Sequence, residues 1–553
     1  MAYLRKWEKG GSLTFALVEG HRIKRGKDKG KVRQSIIEYI GTLQDLSRWV
    51  VNKRDAVNLD TISIKSVVKY GDAYALLRMA HLLDFYDTLF TYSPNHNYLK
   101  MLLAIVINKN IDPKSKNALR DWFEDAALPA LLNLDLDTIY PKSLYRAMDI
   151  LEEDDFNPIL RTFALRIKEL FDIDLDHVLL DGTQVFTEGR KCTLFLRDFN
   201  TKGVKRPQIN IALVTTMGSN VPLHLTIKPG KTRFKTMYNE VTRTLKKEYG
   251  VTITETVVDN GFLTADNIKF ARGKVHFTSR LAHNSVVARH VINLVGEGYG
   301  DVTLANNKER KISRLVTWDK LESTFKDEKE REKYRAIFSE FSFIAYESCQ
   351  QTEEGHARLK KKLEKAEEKL KALRGACLAT KRGKREKTVW REAFKITEGL
   401  DQFIEFGVTT DETRKRALLD YEVLWERFSE KEVYHLYVVL ATSNPGKTNL
   451  DLMNTYTQHY DVEAAFRTLK SDIEMEPIRF WTEKRVKAEI FLCTLALTMH
   501  STLILLARSK NVYLSHRKIM QKLARVQSVR FADGKKKLSE PDEETELFNK
   551  LRR

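Results

Sequence analysis

Cysteine is scarce and scattered. Cys192, Cys349, Cys377 and Cys493 form no C-x-x-C pair, which excludes a disulfide framework and a cysteine zinc site and fits a reducing cytosol. Histidine shows no HExxH or paired ligand spacing, and no G-x-x-x-x-G-K-[ST] loop occurs, so neither a zinc hydrolase nor an ATP-driven motor is supported. The N-terminal MAYLRKWEKGGS lacks the apolar run of a signal sequence. The most apolar late stretch, Ile490 to Ala507, contains His500 and is followed by basic residues, so it reads as a buried helix and not as a membrane span.

Acidic residues are the minority charge. Against 75 Asp and Glu stand 94 Lys and Arg, a net +19 with a pI near 9.4. Such a surplus concentrates phosphate at the surface and drives salt-dependent binding, which makes nucleic acid the first partner to consider. Hydrophobic residues make up 42% of the 553, with 27 Phe, 20 Tyr and 7 Trp, enough to build cores. The length is too great for one core and predicts roughly three or four domains.

Residues 1–55 read as a basic β-ribbon, a possible DNA-binding element, with strand-like runs at Leu13 to Val18 and Gln34 to Ile40 around the basic loop His21 to Lys31. From 56 to 172 the periodicity turns helical, broken at Pro94, Pro113, Pro129 and Pro141, and predicts a helical DNA-binding domain without a decisive recognition helix. A new alternation then begins. DHVLL (Asp176 to Leu180) is an apolar strand ending on Asp181-Gly182, and KRPQINIALVTT and VPLHLTIKPG are strands joined by the turn Gly218-Ser219-Asn220. A helix over Thr236 to Tyr249 leads to the strand Thr252 to Val258, which ends on Asp259-Asn260-Gly261. A helix (Thr264 to Arg272) and a strand (Val275 to Leu281) follow. Asp-Gly and Asp-Asn-Gly are good turn sequences in their own right. Two strands that each release an Asp at the C-terminal edge of a mixed sheet, however, put both where functional groups collect.

A third carboxylate stands in Asp451 to Ile473, DLMNTYTQHYDVEAAFRTLKSDI. Read as one amphipathic helix, it places Glu463 on a face with Tyr456, His459, Phe466, Arg467 and Lys470, since positions three and four apart share a face. An i,i+4 pair of Glu463 with Arg467 is the plain reading, worth a few tenths of a kcal/mol. A carboxylate holding a metal beside a phosphate backbone is the sharper one.

Strand-end Asp, three strands, helix, strand-end Asp and a later helix with Glu resemble the ribonuclease-H-like core of bacterial DDE-type insertion-sequence transposases. One large class carries Tyr-x-x-Arg-x-x-x-Glu-x-x-x-x-x-x-Lys, and Tyr456, His459, Glu463 and Lys470 stand at that spacing, with His459 replacing the Arg. DGTQVF, RPQINIALV, PLHLTIKPG, VVDNGFLTADNI, LYVVLATSN and VEAAFRTLKSDIEMEPI carry the rest of the likeness. The resemblance implies an α/β fold, a ribonuclease-H-like mixed sheet in two parts, 173–285 and 432–510. It implies Asp181, Asp259 and Glu463 as catalytic and metal-ligating residues for two Mg²⁺, with Mn²⁺ able to substitute, since hard oxygen donors select such ions. Lys470 would meet a phosphate near the cut, and Tyr456 and His459 the terminal nucleotides. His459 lacks the guanidinium's bidentate fork and is a weaker, pH-sensitive donor. The activity implied is cleavage of terminal inverted repeats and joining to target DNA, with double-stranded DNA (transposon ends and target) as the partner, by a homodimer in the synaptic complex, in a bacterial cytoplasm at the nucleoid and with no membrane partner. A metal-dependent nuclease of the same fold and a catalytically silent DNA-binding descendant are the alternatives.

Residues 286–431 read as an insertion between the second Asp and the Glu. Leu359, Leu363, Ala366, Leu370 and Leu373 alternate by four and three, a seam for a helical arm that packs within the chain or between two chains. The basic stretch Lys381 to Arg391 holds Trp390, suited to phosphate contact and base stacking. In relatives an aromatic of this insertion receives a flipped base; Trp390 and Trp425 are the candidates here. The tail, 511–553, is expected to mediate dimerisation or to cover the surface.

Overall fold

A computed structural model describes residues 2–9, 12–22, 31–55, 64–189, 191–199, 205–249, 254–282, 285–295, 299–303, 309–347, 349–379, 386–397, 400, 403–411, 416–426, 437–531, 536–539 and 543–552. Most of the basic loop His21 to Lys31 and part of the Lys381 to Arg391 stretch lie outside these residues.

At the N-terminus β1 (Ala2–Lys9), β2 (Ser12–Arg22) and β3 (Val32–Gly41) form an antiparallel sheet followed by a helix, Leu43–Asp55. A short strand, β4 (Ile64–Lys69), precedes the helical region, whose helices run from Gly71–Leu82 to Glu153–Phe171. The central sheet follows, with β5 (His177–Phe186), β6 (Leu196–Phe199), β7 (Lys205–Thr216), β8 (Pro222–Pro229), β9 (Glu255–Val258) and β10 (His276–Arg280). β7 pairs antiparallel with β5 and β8 with β7, while β9 lies parallel to β5 and β10 parallel to β9. The order β8-β7-β5-β9-β10, with a helix (Met237–Tyr249) crossing from β8 to β9, is the mixed ribonuclease-H-like sheet expected. All four residues of β9 are buried, as a parallel strand covered on both faces requires. Its Glu255 is matched inside by Lys447 at 2.7 Å and Thr278 at 2.5 Å.

The sheet extends further than the sequence indicates. β11 (Tyr299–Thr303), β12 (Glu309–Ser313), β13 (Val316–Thr317) and β14 (Ser342–Glu347) were expected in the insertion, yet they join the sheet beyond β10 through β17 (Tyr437–Thr442). β14 and β17 pair antiparallel from Ser342 opposite Thr442 to Glu347 opposite Tyr437. The separate unit is therefore smaller than 286–431. It comprises a long helix (Cys349–Ala379), a second helix (Glu386–Thr397) and the hairpin β15 (Ile404–Asp411) and β16 (Arg416–Val423). Leu363, Ala366, Leu370 and Leu373 are buried in this unit's own core against Val389, Ala393 and Leu419, so the heptad seam is used within the chain.

The Glu483–Ser509 helix is long and apolar enough to cross a membrane, but 83% of its most apolar stretch is buried in the protein. Phe491 stacks on Phe156 at 4.1 Å, and Thr494, Thr498 and Thr502 return their hydroxyls to carbonyls one turn back. The tail also folds inward. β18 (Gln527–Phe531) pairs with β4 and with β19 (Lys536–Leu538), and Leu547, Phe548 and Leu551 are buried, Phe548 against Tyr70 and Tyr74. Much of the tail's apolar surface is thus packed on the helical region.

His500 and His516 join the tail to the long helix as stacked rings, centroids 3.8 Å apart and 16° from parallel. Burial holds His500 down to about 4 and His516 well below its ordinary value, with the His500 ring adding to the latter. Because the folded values lie below the unfolded one, stability is complete above about pH 6.5 and falls as pH drops from there toward 4. Unfolding measured at pH 7.5 and pH 5 will show a loss at the lower pH of about 2 kcal/mol from His500 and a comparable loss from His516. His516→Leu will flatten this dependence; an equally steep profile would remove the pair as its cause.

Candidate active site

Asp181 does not end its strand. β5 runs on through Asp181-Gly182 to Phe186, with Asp181 opposite Leu213 and Gly182 opposite Ala212. Gly182 serves a close approach and not a turn, since a Cβ there would lie 2.3 Å from the Phe234 ring. What does end at Leu180 is the parallel ladder, whose last pair is Leu180 with Val258. The next residues in that register are Asp181 and Asp259, so the two carboxylates leave neighbouring strands side by side. Asp259 is exposed and opens a short 3₁₀ turn, Asn260–Phe262, while Asp181 is half-buried.

Glu463 comes from a helix, His459–Arg467, that packs on β5. The continuous helix expected over Asp451 to Ile473 is in fact three pieces. Thr448 and Asp451 cap the first, Asn449–Thr457, by mutual side-chain to backbone bonds. At Gln458 the helix is interrupted, where the Thr457 hydroxyl back-bonds to the Asn454 carbonyl. After Arg467 the chain widens into a π-turn, Thr468–Asp472, closed by the Ile473 N–H on the Thr468 carbonyl. Such widened turns cluster at functional sites. Here it sets Lys470 off the regular helical strip.

The three carboxylates feel one another. Burial pushes the Asp181 carboxyl up to about 7. The bond from the Gly182 N–H and the Lys470 ammonium oppose the rise, and the charges of Asp259 and Glu463 add to it. Glu463 is raised by burial and by Asp259, and lowered by Arg467. Lys470 donates to the Gln184 carbonyl of β5 at 2.7 Å and pairs with Glu476 at 3.3 Å. Glu476 in turn accepts from the Phe186 N–H at 3.1 Å, so it ties the helix bearing Glu463 to the strand bearing Asp181. Sequence reading missed Glu476; its only signal was a position just past the helix, in Glu-Met-Glu-Pro.

Of the other residues singled out, Arg467 is exposed beside Glu463, whereas Tyr456 is buried in the main core and does not present its ring to solvent. The side chain of His459 lies outside the described residues. Trp390 stands on the separate unit, not with the carboxylates. It is 52% exposed and stacked on the equally outward Phe394, 5.3 Å away.

Among the described residues no three His, Cys, Asp or Glu side chains stand close enough to hold a metal as they are oriented. The donor set nevertheless suits one: Asp181, Asp259 and Glu463 are hard oxygen ligands, and burial, with the Asp259 and Glu463 charges adding to it, strengthens the hold of Asp181 on a positive charge that a dication would supply.

Residues 172–499 match the family model of the transposase DDE domain. The chain belongs to that family. DDE transposases are enzymes that cut and join DNA with the help of divalent metal ions. No curated protein matches the chain. Among solved structures, the cryo-EM structure of a piggyBac transposase synaptic complex with hairpin DNA is similar at 10% identity, over 77% of this chain and 70% of that one. Its TM-score is 0.34, a likeness too loose to argue from.

Proposed function

We propose that this DDE transposase binds the terminal inverted repeats of its own insertion sequence, cleaves the ends and joins them to target DNA, with Asp181, Asp259 and Glu463 as the catalytic carboxylates. The observation that carries the reading is the register of β5 and β9. It sets Asp181 beside Asp259, and their charges reach Glu463 on the helix packed against β5. Asp181 and Asp259 would hold one Mg²⁺ or Mn²⁺, Asp181 and Glu463 the other, which when bound supply charge neutralisation at phosphorus and an activated attacking oxygen. Lys470, already drawn to carbonyl and carboxylate oxygens, is the group that a phosphate at the cut would engage, with Arg467 on the open side. Trp390 and Phe394 offer a stacking surface for a base. Bringing two ends together calls for two protomers.

Purified protein, Mg²⁺ and a duplex carrying the inverted repeat that borders its gene will yield both cleaved ends and joined products. Cleavage without joining in any target would establish a nuclease instead; binding with neither reaction would establish a silent DNA-binding descendant.

A further inference from the structure

Beyond the carboxylates, the molecule buries an unbalanced charge. Lys109 and Lys116, from the helical region, both bind Glu489 of the long helix, at 2.8 and 2.6 Å, with all three side chains less than a tenth exposed. The adjacent Cys493 adds no negative charge, because burial pushes its thiol up to about 11. Two ammonium groups against one carboxylate leave one positive charge in the interior. An uncompensated buried charge is costly, and a partner that completes it removes that cost. Burial accordingly pulls the Lys116 ammonium below its ordinary value even with Glu489 at hand.

The three side chains line a cleft of about 430 Å³, whose rim carries Lys114 and Arg479. Lys114 pairs with Asp112 at 2.8 Å and Arg479 with Glu188 at 3.1 Å. Both pairs are exposed, so they are worth little and can exchange a carboxylate for another anion. Two acidic side chains, Glu474 and Glu476, also face the cleft; Glu476 is engaged by Lys470. Phe480, which the Lys116 ammonium faces at 5.5 Å, closes one side.

The cleft is joined to the carboxylate site by backbone. Its wall, residues 474–480, adds to the end of β5: the Ile478 N–H donates to the Phe186 carbonyl at 3.1 Å and the Glu188 N–H to the Ile478 carbonyl at 3.0 Å. Phe186 stands five residues along β5 from Asp181, about 17 Å at the rise of a strand, or on the order of five steps of duplex DNA.

We infer that this cleft takes a backbone phosphate of the DNA strand that passes the Asp181 site, with Lys116 and Lys109 as its buried cationic seat. The inference rests on the transposase reading. A phosphodiester carries the single negative charge that the trio lacks, and a strand anchored there is held in register with the carboxylates.

Lys116→Met tests it. Binding of a fluorescein-labelled duplex of the bordering inverted repeat is followed by anisotropy across a salt series, beside thermal unfolding without DNA. Expected is a log K against log salt slope shallower by about one, with an unfolding midpoint that does not fall, because Lys109 and Glu489 remain as a balanced pair. Lys116→Arg will restore the slope. An unchanged slope in Lys116→Met overturns the inference, as does protection of the wild type by inorganic phosphate with the DNA slope unaltered, which would assign the cleft to a free anion. If Lys116→Met does not fold, the exposed rim variant Arg479→Ala is read by the same slope and the same criterion. Wild-type protein that neither cuts nor joins DNA would sink the transposase reading itself; wild type that does both beside an unchanged variant slope sinks only the cleft.

Discussion

Asp181→Asn will bind end DNA as the wild type does and lose strand cleavage and joining by on the order of 10³-fold, the rate equivalent of the several kcal/mol that metal-assisted charge stabilisation supplies. Asn keeps the shape and the oxygen that accepts from the Gly182 N–H at 2.7 Å, so the backbone of β5 need not move. What disappears is the charge that, in the proposed site, the two metal ions would share. Glu463→Gln will do the same, and Mn²⁺, the more forgiving ion, will not restore more than a small part. The stability readout runs opposite to the activity readout. Burial and two neighbouring carboxylates raise the Asp181 proton affinity, so removing its ionisable group relieves a repulsion and the unfolding midpoint will hold or rise. Lost cleavage together with a lowered midpoint would make Asp181 a structural residue, and full activity in either variant would dismantle the site.

Glu489→Gln will destabilise the protein by about 3–5 kcal/mol, the cost of leaving buried charges without their partner. Burial alone would push this carboxyl up; the Lys109 and Lys116 ammoniums overcome that and bring it down to about 2. With a folded value below the ordinary 4.5, its stabilising effect is complete above that pH and is lost only as pH falls from 4.5 toward 2. Denaturant unfolding at pH 7 and pH 5 will therefore show the same deficit for the variant relative to wild type. A deficit under 1 kcal/mol would mean that water reaches the trio freely. The contrast with Lys116→Met is the informative part, since removing one member of the same cluster unbalances the charge and removing another balances it.

The sequence makes Asp181, Asp259 and Glu463 legible for local reasons: an apolar run just wide enough for a strand, then an acid, and later an acid on a basic, aromatic helical face. Their arrangement was less so. Gly182 reads as a turn because Asp-Gly usually is one, but its role is set by Phe234, 52 residues along the chain, which no local pattern discloses. The strip from Tyr456 to Lys470 assumes an unbroken 3.6-residue period, which Gln458 and the π-turn interrupt, so Tyr456 faces the core while Lys470 reaches β5. The mixed sheet was readable as far as β10. β17 falls in the second part expected of that sheet, 432–510, but the continuation beyond it through β14 and β12 was not readable, because β14 is separated from β17 in sequence by the entire helical arm. The Lys109, Lys116 and Glu489 cluster unites residues more than 370 positions apart, and in the sequence Glu489 is merely one acid near the start of an apolar helix.

The pairing of Glu347 with Tyr437 gives that arm a particular standing. β14 and β17 form an antiparallel hairpin whose turn has been replaced by residues 348–436. Because the two ends of the replacement sit across a single rung, the closure entropy grows only with the logarithm of its length. The arm has its own apolar core, so it does not draw on the sheet for stability. Such a junction tolerates exchange. The sheet can acquire, lose or trade whatever occupies this turn while Asp181, Asp259 and Glu463 stay where they are, so the two parts of the chain can diversify independently.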